Sequence, residues 1–317
     1  MNAIKPLELA DRPLIMQYLR QFSPEVSELT FTNLFVWRHS RAIAFTRIED
    51  TLVFIASVSH DGDNDLVLLG PPSGFASPAA IIAALESEVR GWVRVSAEVA
   101  ATLEGTDLVV VEDRDNFDYV YRAEDLAELS GRRYHKKRNL VKQCLDTYSC
   151  RYEEITPLLI GECLAMQDRW CEARACGVNP GLCKEYRAIQ EAFEHYTKLE
   201  LVGGAIHVDG IVQAFSIGEA LRTGTAVCHF EKAMPEIQGL GQLINQWFAR
   251  YSLRGFEFLN REQDLGIPGL RQAKESYFPH HLVRKYSAFF HHREMATCSG
   301  LDPQECARHL FGGDQQS

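Results

Sequence analysis

Residues 203–260 constrain the fold more than any other part of this 317-residue chain. The run GAIHV meets Asp209-Gly210, and a second run, IVQAFSIGEAL, ends at Arg-Thr-Gly. A third, TAVCHFEKA, leads into Pro235-Glu-Ile-Gln-Gly-Leu-Gly241, then QLINQWFARYSL and FEFLN. Asp-Gly between two apolar alternating runs predicts a tight hairpin, because a type I′ turn needs positive φ at both central residues. Leu240, Leu243, Ile244, Trp247, Phe248 and Tyr251 recur at helical spacing, so the next segment is a helix packed on the sheet. Between the third strand and that helix lie Gln238, Gly239, Leu240, Gly241 and Gln242. Glycines let the backbone approach a ligand closely, and a helix N-terminus favours negative charge. These five residues are the expected seat of a phosphate-bearing donor; the plain alternative is an ordinary glycine-rich turn.

Composition limits the alternatives. Hydrophobic residues make up 46% and charged residues 24%, as in a globular protein. The longest clean apolar run, Leu52 to Val58, is far too short to span a bilayer. The first residues, MNAIKPLELADR, lack a basic segment followed by an apolar one, so a cytoplasmic location is expected. Nine cysteines contain no CxxC pair, and Cys163, Cys171, Cys176 and Cys183 are irregularly spaced. Reduced, structural thiols are the expectation. The net charge of −10 speaks against a generic nucleic-acid binder. Locally, RRYHKKRNLVK at 132–142 carries no acid. Arg133, Lys136, Lys137 and Arg138 are candidate contacts for a polyanion, with a solvated basic helix face as the equal alternative.

The chain reads as two halves with the same order of elements. In the first, RAIAFTRI and TLVFIASV flank Glu49-Asp50, DLVLL leads into GPPSGF, and Ser77-Pro78 opens a helix. In the second, CRYEEI precedes a helix capped by Thr156-Pro157, then a helix carrying Tyr186, Ile189, Phe193 and Tyr196, then the hairpin. The expected divisions are 1–125, a basic connecting helix at 126–148, a second domain at 149–292, and a loosely ordered polar tail at 293–317. Pro71 and Pro72 stand at the first half's loop, and proline cannot donate an N–H to a phosphate. The second half is therefore expected to bind the donor, and the first to serve as scaffold or acceptor platform.

The layout resembles the acyl-CoA-binding core of the GCN5-related N-acetyltransferase superfamily. The expected fold class is α/β (α+β): two tandem acyl-CoA N-acyltransferase-like domains with mixed, mostly antiparallel sheets. Glu236 stands where that superfamily's loop carries Gln or Arg, and a carboxylate there repels pyrophosphate. The resemblance places the end of the third strand beside the reactive acyl carbon, where Glu231 is a candidate base. His229, two residues earlier, reads as a packed histidine. The resemblance also offers Tyr277 as proton donor to the leaving group, with core packing as its alternative. Asp264 belongs to a charged connection after a strand, where site residues gather in α/β sheets; a surface salt-bridge network is the alternative. His280-His281 and His291-His292 lack companions at ligand spacing, so no metal is expected.

Four segments carry a closer resemblance: Tyr134-His-Lys-Lys-Arg-Asn139, Phe230-Glu-Lys-Ala233, Gln238-Gly-Leu-Gly-Gln-Leu-Ile-Asn245, and Asn260 through Tyr277. They resemble the DUF2156 family, which is similar to the C-terminal domain of phosphatidylglycerol lysyltransferase. The resemblance implies a transferase whose donor is acyl-CoA or aminoacyl-tRNA. The lysyltransferases move an aminoacyl group from charged tRNA to a lipid head group, and they carry a multi-spanning membrane domain that has no counterpart in this sequence. The acceptor is left open, and a binding module that has lost the chemistry is a third reading.

Overall fold

The computed structural model describes residues 3–60, 63–174, 177, 179–290, 293, 298 and 300–311. His291-His292, Cys176 and the last residues of the tail lie outside this set. The described chain forms two compact units, each built on one mixed sheet.

The first unit takes residues 1–118, 263–267 and 283–317. Its strands are β1 (Lys5–Pro6), β2 (Ala44–Ile48), β3 (Thr51–His60), β4 (Asp63–Ser73), β5 (Gly91–Ser96) and β6 (Leu108–Glu112). The second sheet is made by β7 (Asp118–Arg122), β8 (Cys150–Glu154), β9 (Val202–Val208), β10 (Ile211–Arg222), β11 (Thr225–Ala233), β12 (Phe258–Asn260) and β13 (His281–Val283). The last strand, β14 (Lys285–Phe290), returns to the first sheet. The orders are β1-β2-β3-β4-β5-β14-β6 and β13-β7-β12-β11-β10-β9-β8. In each sheet one internal pair is parallel, β4 with β5 and β11 with β12, and its neighbours pair antiparallel. This is the tandem acyltransferase-like fold.

Turn chemistry sets the hairpins. Asp209 and Gly210 both have positive φ, as the type I′ turn between β9 and β10 requires. Ser77 caps the helix Pro78–Leu85 by accepting the Ala80 N–H at 3.2 Å. Thr156 does not cap the next unit's helix. It closes a preceding turn through its carbonyl, and the helix runs Ile160–Ala173.

Three boundaries differ from the sequence expectation. HLVRKYSAFF splits at Arg284, with β13 in the second sheet and β14 between β5 and β6 of the first. The basic helix His135–Thr147 belongs to the second unit, where Val141 and Cys144 enter the core with Tyr134, Leu240 and Leu243. The tail contains the helix Pro303–Phe311, which buries Cys306, Ala307, Leu310 and Phe311. The cysteine expectation also fails in part. Cys298 is bonded to Cys306, and Cys171 is disulfide-bonded as well. Proximity at the start of that last helix, not regular spacing, makes the pair.

β4 also runs further than DLVLL, through Pro71 and Pro72 to Ser73. Its pairing with β5 stops at Leu69, so the missing proline N–H groups break no ladder on that side.

Candidate functional site

The parallel pair β11 and β12 is in register only from Thr225↔Phe258 to Val227↔Asn260. Beyond that, β11 continues to Ala233 against β10, while the chain after Asn260 turns away. Parallel strands that part at their carboxyl ends leave a cleft, and ligands bind at such places in α/β sheets. The side chains at this mouth are His229 and Glu231 of β11, Arg261 and Glu262 after β12, Asn245 of the helix Leu240–Trp247, and Tyr277.

Glu231 holds Arg261 Nη2 at 2.9 Å through Oε1 and accepts from Asn245 Nδ2 at 3.2 Å through Oε2. Both charged side chains are largely buried, 20% exposed for Glu231 and 14% for Arg261. Burial works against the Arg261 charge, but Glu231, with Tyr121, Tyr277 and Cys228, together outweigh it and the ionisation moves above the ordinary range. The guanidinium lies 5.2 Å from the Tyr277 ring and 5.8 Å from Tyr121. On Tyr277 also sits the Lys137 ammonium, 4.1 Å from the ring centroid, which donates to Ser276 Oγ at 2.6 Å. Burial and then Arg261 hold the Lys137 ionisation below its usual range. Burial pushes the Tyr277 phenol upward, against the opposing pull of Arg261. Tyr277 therefore keeps its proton at neutral pH.

Beside this cluster His229 is clamped between two carboxylates. Nδ1 meets Glu262 and Nε2 meets Glu219, each at 2.9 Å. Burial alone draws the imidazole pKa down, but the hydrogen bonds to Glu219 and Glu262 and their charges together outweigh it and raise the value to about 9. The sequence marked His229 as packed; its two partners lie 10 and 33 residues away in the chain, and nothing local announces them. The linkage has a definite sign. A protonated His229 stabilises the fold fully below its unfolded value near 6.5, and that contribution is lost as pH rises through about 9. The stability of the second unit is expected to drop by about 3 kcal/mol over this window. Urea titrations across it test this: wild type should show the decline and His229→Gln should not. An equal decline in both would remove His229 as the cause.

The glycine loop before the helix Leu240–Trp247 is built differently from the expectation. Gly239 has φ +85, and a Cβ there would lie 2.1 Å from the Leu140 carbonyl oxygen and 3.2 Å from Cys144 Cβ. Its glycine is demanded by the helix His135–Thr147. Gly241, by contrast, has open space at its Cβ position. Gly239→Val is therefore expected to destabilise the fold by about 2 kcal/mol or more, through strained backbone and overlap with a carbonyl. Gly241→Ala should melt within a degree or two of wild type, since it meets nothing. A Gly239→Val protein as stable as wild type would contradict the close approach to Leu140.

Other sequence candidates fall elsewhere. Asp264 is fully buried in the first unit, paired with Arg114 at 3.0 Å and accepting the Gly266 N–H at 2.8 Å. It closes its own loop and does not join Glu231 and Tyr277. Of the basic residues, Arg133 bonds Asp125 at 2.7 Å, Arg138 bonds the Leu129 and Gly131 carbonyls, and Lys137 bonds Ser276. Lys136 is exposed. The run is thus mostly consumed in fastening its own helix.

The corresponding mouth in the first unit is filled. Trp92 Nε1 donates to the Gly70 carbonyl at 2.7 Å, Thr51 Oγ1 takes the Ala76 N–H at 2.7 Å, and Leu29 lies against Gly70. Among the described residues no three His, Cys, Asp or Glu side chains are grouped to hold a metal, and no helix is long and apolar enough to cross a membrane.

Two acyltransferase-like units, each built on a seven-stranded mixed sheet, define a tandem GCN5-related acyltransferase fold. The chain belongs to the phosphatidylglycerol lysyltransferase C-terminal family, whose model matches residues 19–289. A conserved protein of unknown function from Bacteroides thetaiotaomicron is 33% identical, with a TM-score of 0.84 over 92% of this chain and 100% of that one. L-PGS from Bacillus licheniformis superposes with a TM-score of 0.66 at 14% identity, covering 97% of this chain and 98% of that one. The DUF2156 domain of a putative lysylphosphatidylglycerol synthetase from Agrobacterium fabrum gives 0.64 at 12%, over 96% and 98%. No curated protein matches the sequence. The family is one of aminoacyl and acyl transferases.

Proposed function

We propose that this chain transfers an aminoacyl group from charged tRNA to an amine or hydroxyl acceptor, at the mouth of β11 and β12. The supporting observation is the Glu231 carboxylate held between Arg261 and Asn245 where the parallel strands part. In this reading the acceptor nitrogen or oxygen attacks the ester carbonyl, and Glu231 takes its proton. The new bond forms as the C–O bond to the ribose breaks, and the departing oxygen takes a proton from Tyr277. Arg261 lies where negative charge develops on the carbonyl oxygen. The first unit, with its own mouth filled by Trp92 and Thr51, carries no donor and acts as scaffold.

Acyl-CoA is the second reading, favoured by the fold. Two features weigh against it: Glu236 in the donor loop, and the Leu140 carbonyl packed on Gly239, which covers one flank of the turn. The family match weighs towards an aminoacyl donor, and a tRNA donor would place the protein in the cytoplasm. Melting curves with acetyl-CoA, uncharged tRNA and lysyl-tRNA separate the readings. A donor present at about 100 times its Kd should add about 2.7 kcal/mol to the stability. Stabilisation by lysyl-tRNA, with transfer of labelled lysine to added hydroxylamine, is the expected result. Stabilisation by acetyl-CoA alone would overturn the donor assignment. No effect from either would leave the binding-module reading standing.

A further inference from the structure

The transfer chemistry proposed above uses Glu231, Arg261 and Tyr277 and leaves Lys137 without a task. The first turn of the helix His135–Thr147 carries Lys137 to the Tyr277 ring, within the second unit. Its approach is fixed one turn earlier. The Tyr134 hydroxyl donates to the Tyr277 carbonyl at 3.0 Å, and its ring meets Phe278 edge-on at 5.6 Å. Arg133 lies over both of those rings and is paired with Asp125. Lys137 is therefore held in place before any ligand arrives.

Its charge is not answered by the protein. Nζ donates to Ser276 Oγ at 2.6 Å, but that hydroxyl is neutral and gives its own proton to the Ala273 carbonyl at 2.6 Å. No carboxylate pairs with Lys137 among the described residues. The other cation at the Tyr277 ring, Arg261, takes Glu231 at 2.9 Å. Two cations thus share one carboxylate, and Arg261 has it. A half-buried ammonium beside a like charge is a costly arrangement, and both burial and Arg261 hold its ionisation down. An incoming anion relieves that cost.

The donor's own chemistry names the anion. In the transfer reading the ester carbonyl lies at Arg261. The ribose that bears this ester carries its nearest negative charge on the phosphate at its 5′ carbon, one sugar away from the reacting carbon. Lys137 and Arg261 border one aromatic ring, which suits the two ends of one sugar unit. An ammonium is a compact point charge that accepts a phosphate oxygen without the planar match a guanidinium requires. Resting on the transfer reading, we propose that Lys137 binds the 5′-phosphate of the donor's terminal aminoacyl-adenosine. This contact selects the end of a charged nucleic acid over a free aminoacyl ester and seats the ester carbonyl at Arg261.

Two stable donor mimics test this in calorimetric titrations of the full chain: 3′-lysylamino-3′-deoxyadenosine and its 5′-monophosphate. Wild type should bind the phosphorylated mimic about tenfold more tightly, the size of one charge-assisted contact. In Lys137→Gln that advantage should fall to within about twofold, with binding of the unphosphorylated mimic retained. Lys137→Arg, which keeps the charge, should recover part of the advantage. A lost fold contact would weaken both mimics alike, and charge retention would not selectively restore the phosphate preference. Equal binding of the two mimics by wild type, or an undiminished phosphate advantage in Lys137→Gln, would overturn the assignment and leave the transfer reading intact. Parallel loss of both mimics in Lys137→Gln would also overturn it, making Lys137 a prop for Tyr277. Binding of neither mimic by wild type would overturn this assignment and the aminoacyl donor together.

Discussion

Lys285→Met is expected to destabilise the first unit by about 3–5 kcal/mol, because it strands two buried carboxylates. Lys285 is fully buried on β14, and its ammonium lies 2.5 Å from Glu28 and 2.7 Å from Asp118. Asp118 also accepts the Ser27 N–H and hydroxyl at 2.8 Å and the Gln263 amide at 2.9 Å. Glu28 has Arg94 Nε at 3.2 Å and the Gln263 amide at 3.0 Å. Losses of this size are a large share of an ordinary domain's 5–15 kcal/mol. The pH dependence discriminates further. Burial already raises the Glu28 pKa, and Lys285 is the largest opposing influence. Without Lys285 the folded value rises further above the unfolded one. Stability is then present at low pH and lost as pH rises, so the variant should suffer less near pH 5 than near pH 8. Urea midpoints at both values measure this, and Lys285→Met with Glu28→Gln should recover part of the loss. A small, pH-independent loss would show that the cluster does not hold β14 in place.

That cluster also shows what the sequence left illegible. The hairpins were readable because Asp-Gly and Glu-Asp turns act within four residues, and both appear where expected. The helix after Gly239 was readable from its apolar period, and so was the core face of Leu240, Leu243 and Ile244. HLVRKYSAFF was recognisable as extended chain but not assignable to a sheet. Its side chains suit either sheet equally, and the choice is made by Lys285 meeting Glu28, 257 residues away. The partners of the basic run at 132–142 were illegible for a related reason. Charge count shows that cations are present, but not that Arg133, Lys137 and Arg138 already have partners. Asp264 likewise looked available because its Arg114 partner lies 150 residues earlier. Glu231 and Tyr277 are candidates from fold position alone, which transfers between tandem acyltransferase-like units. The carboxylate clamp on His229 depends on pairings that no local pattern encodes.

Glu231→Gln is expected to slow aminoacyl transfer by about 10²–10⁴-fold, the usual contribution of a positioned base. Glutamine keeps the size and an oxygen for Arg261, so the fold should survive. Removing the charge from a partly buried partner of Arg261 leaves the guanidinium less well compensated, and a loss of about 1–3 kcal/mol is the tolerable cost. That cost is separable from catalysis, because it appears in melting curves and in donor binding. Tyr277→Phe is the companion variant. It removes the hydroxyl and retains the ring that carries Lys137 at 4.1 Å and Arg261 at 5.2 Å. If Tyr277 protonates the departing oxygen, transfer falls with lysyl-tRNA affinity intact. The two roles also differ in their dependence on the acceptor. Hydroxylamine, whose attacking nitrogen is already unprotonated at neutral pH, asks less of a base than an alkylamine does. The Glu231→Gln defect should therefore shrink with hydroxylamine, while the Tyr277→Phe defect should not, since the leaving group is unchanged. A Glu231→Gln protein with full turnover towards an alkylamine would show that Glu231 only anchors Arg261.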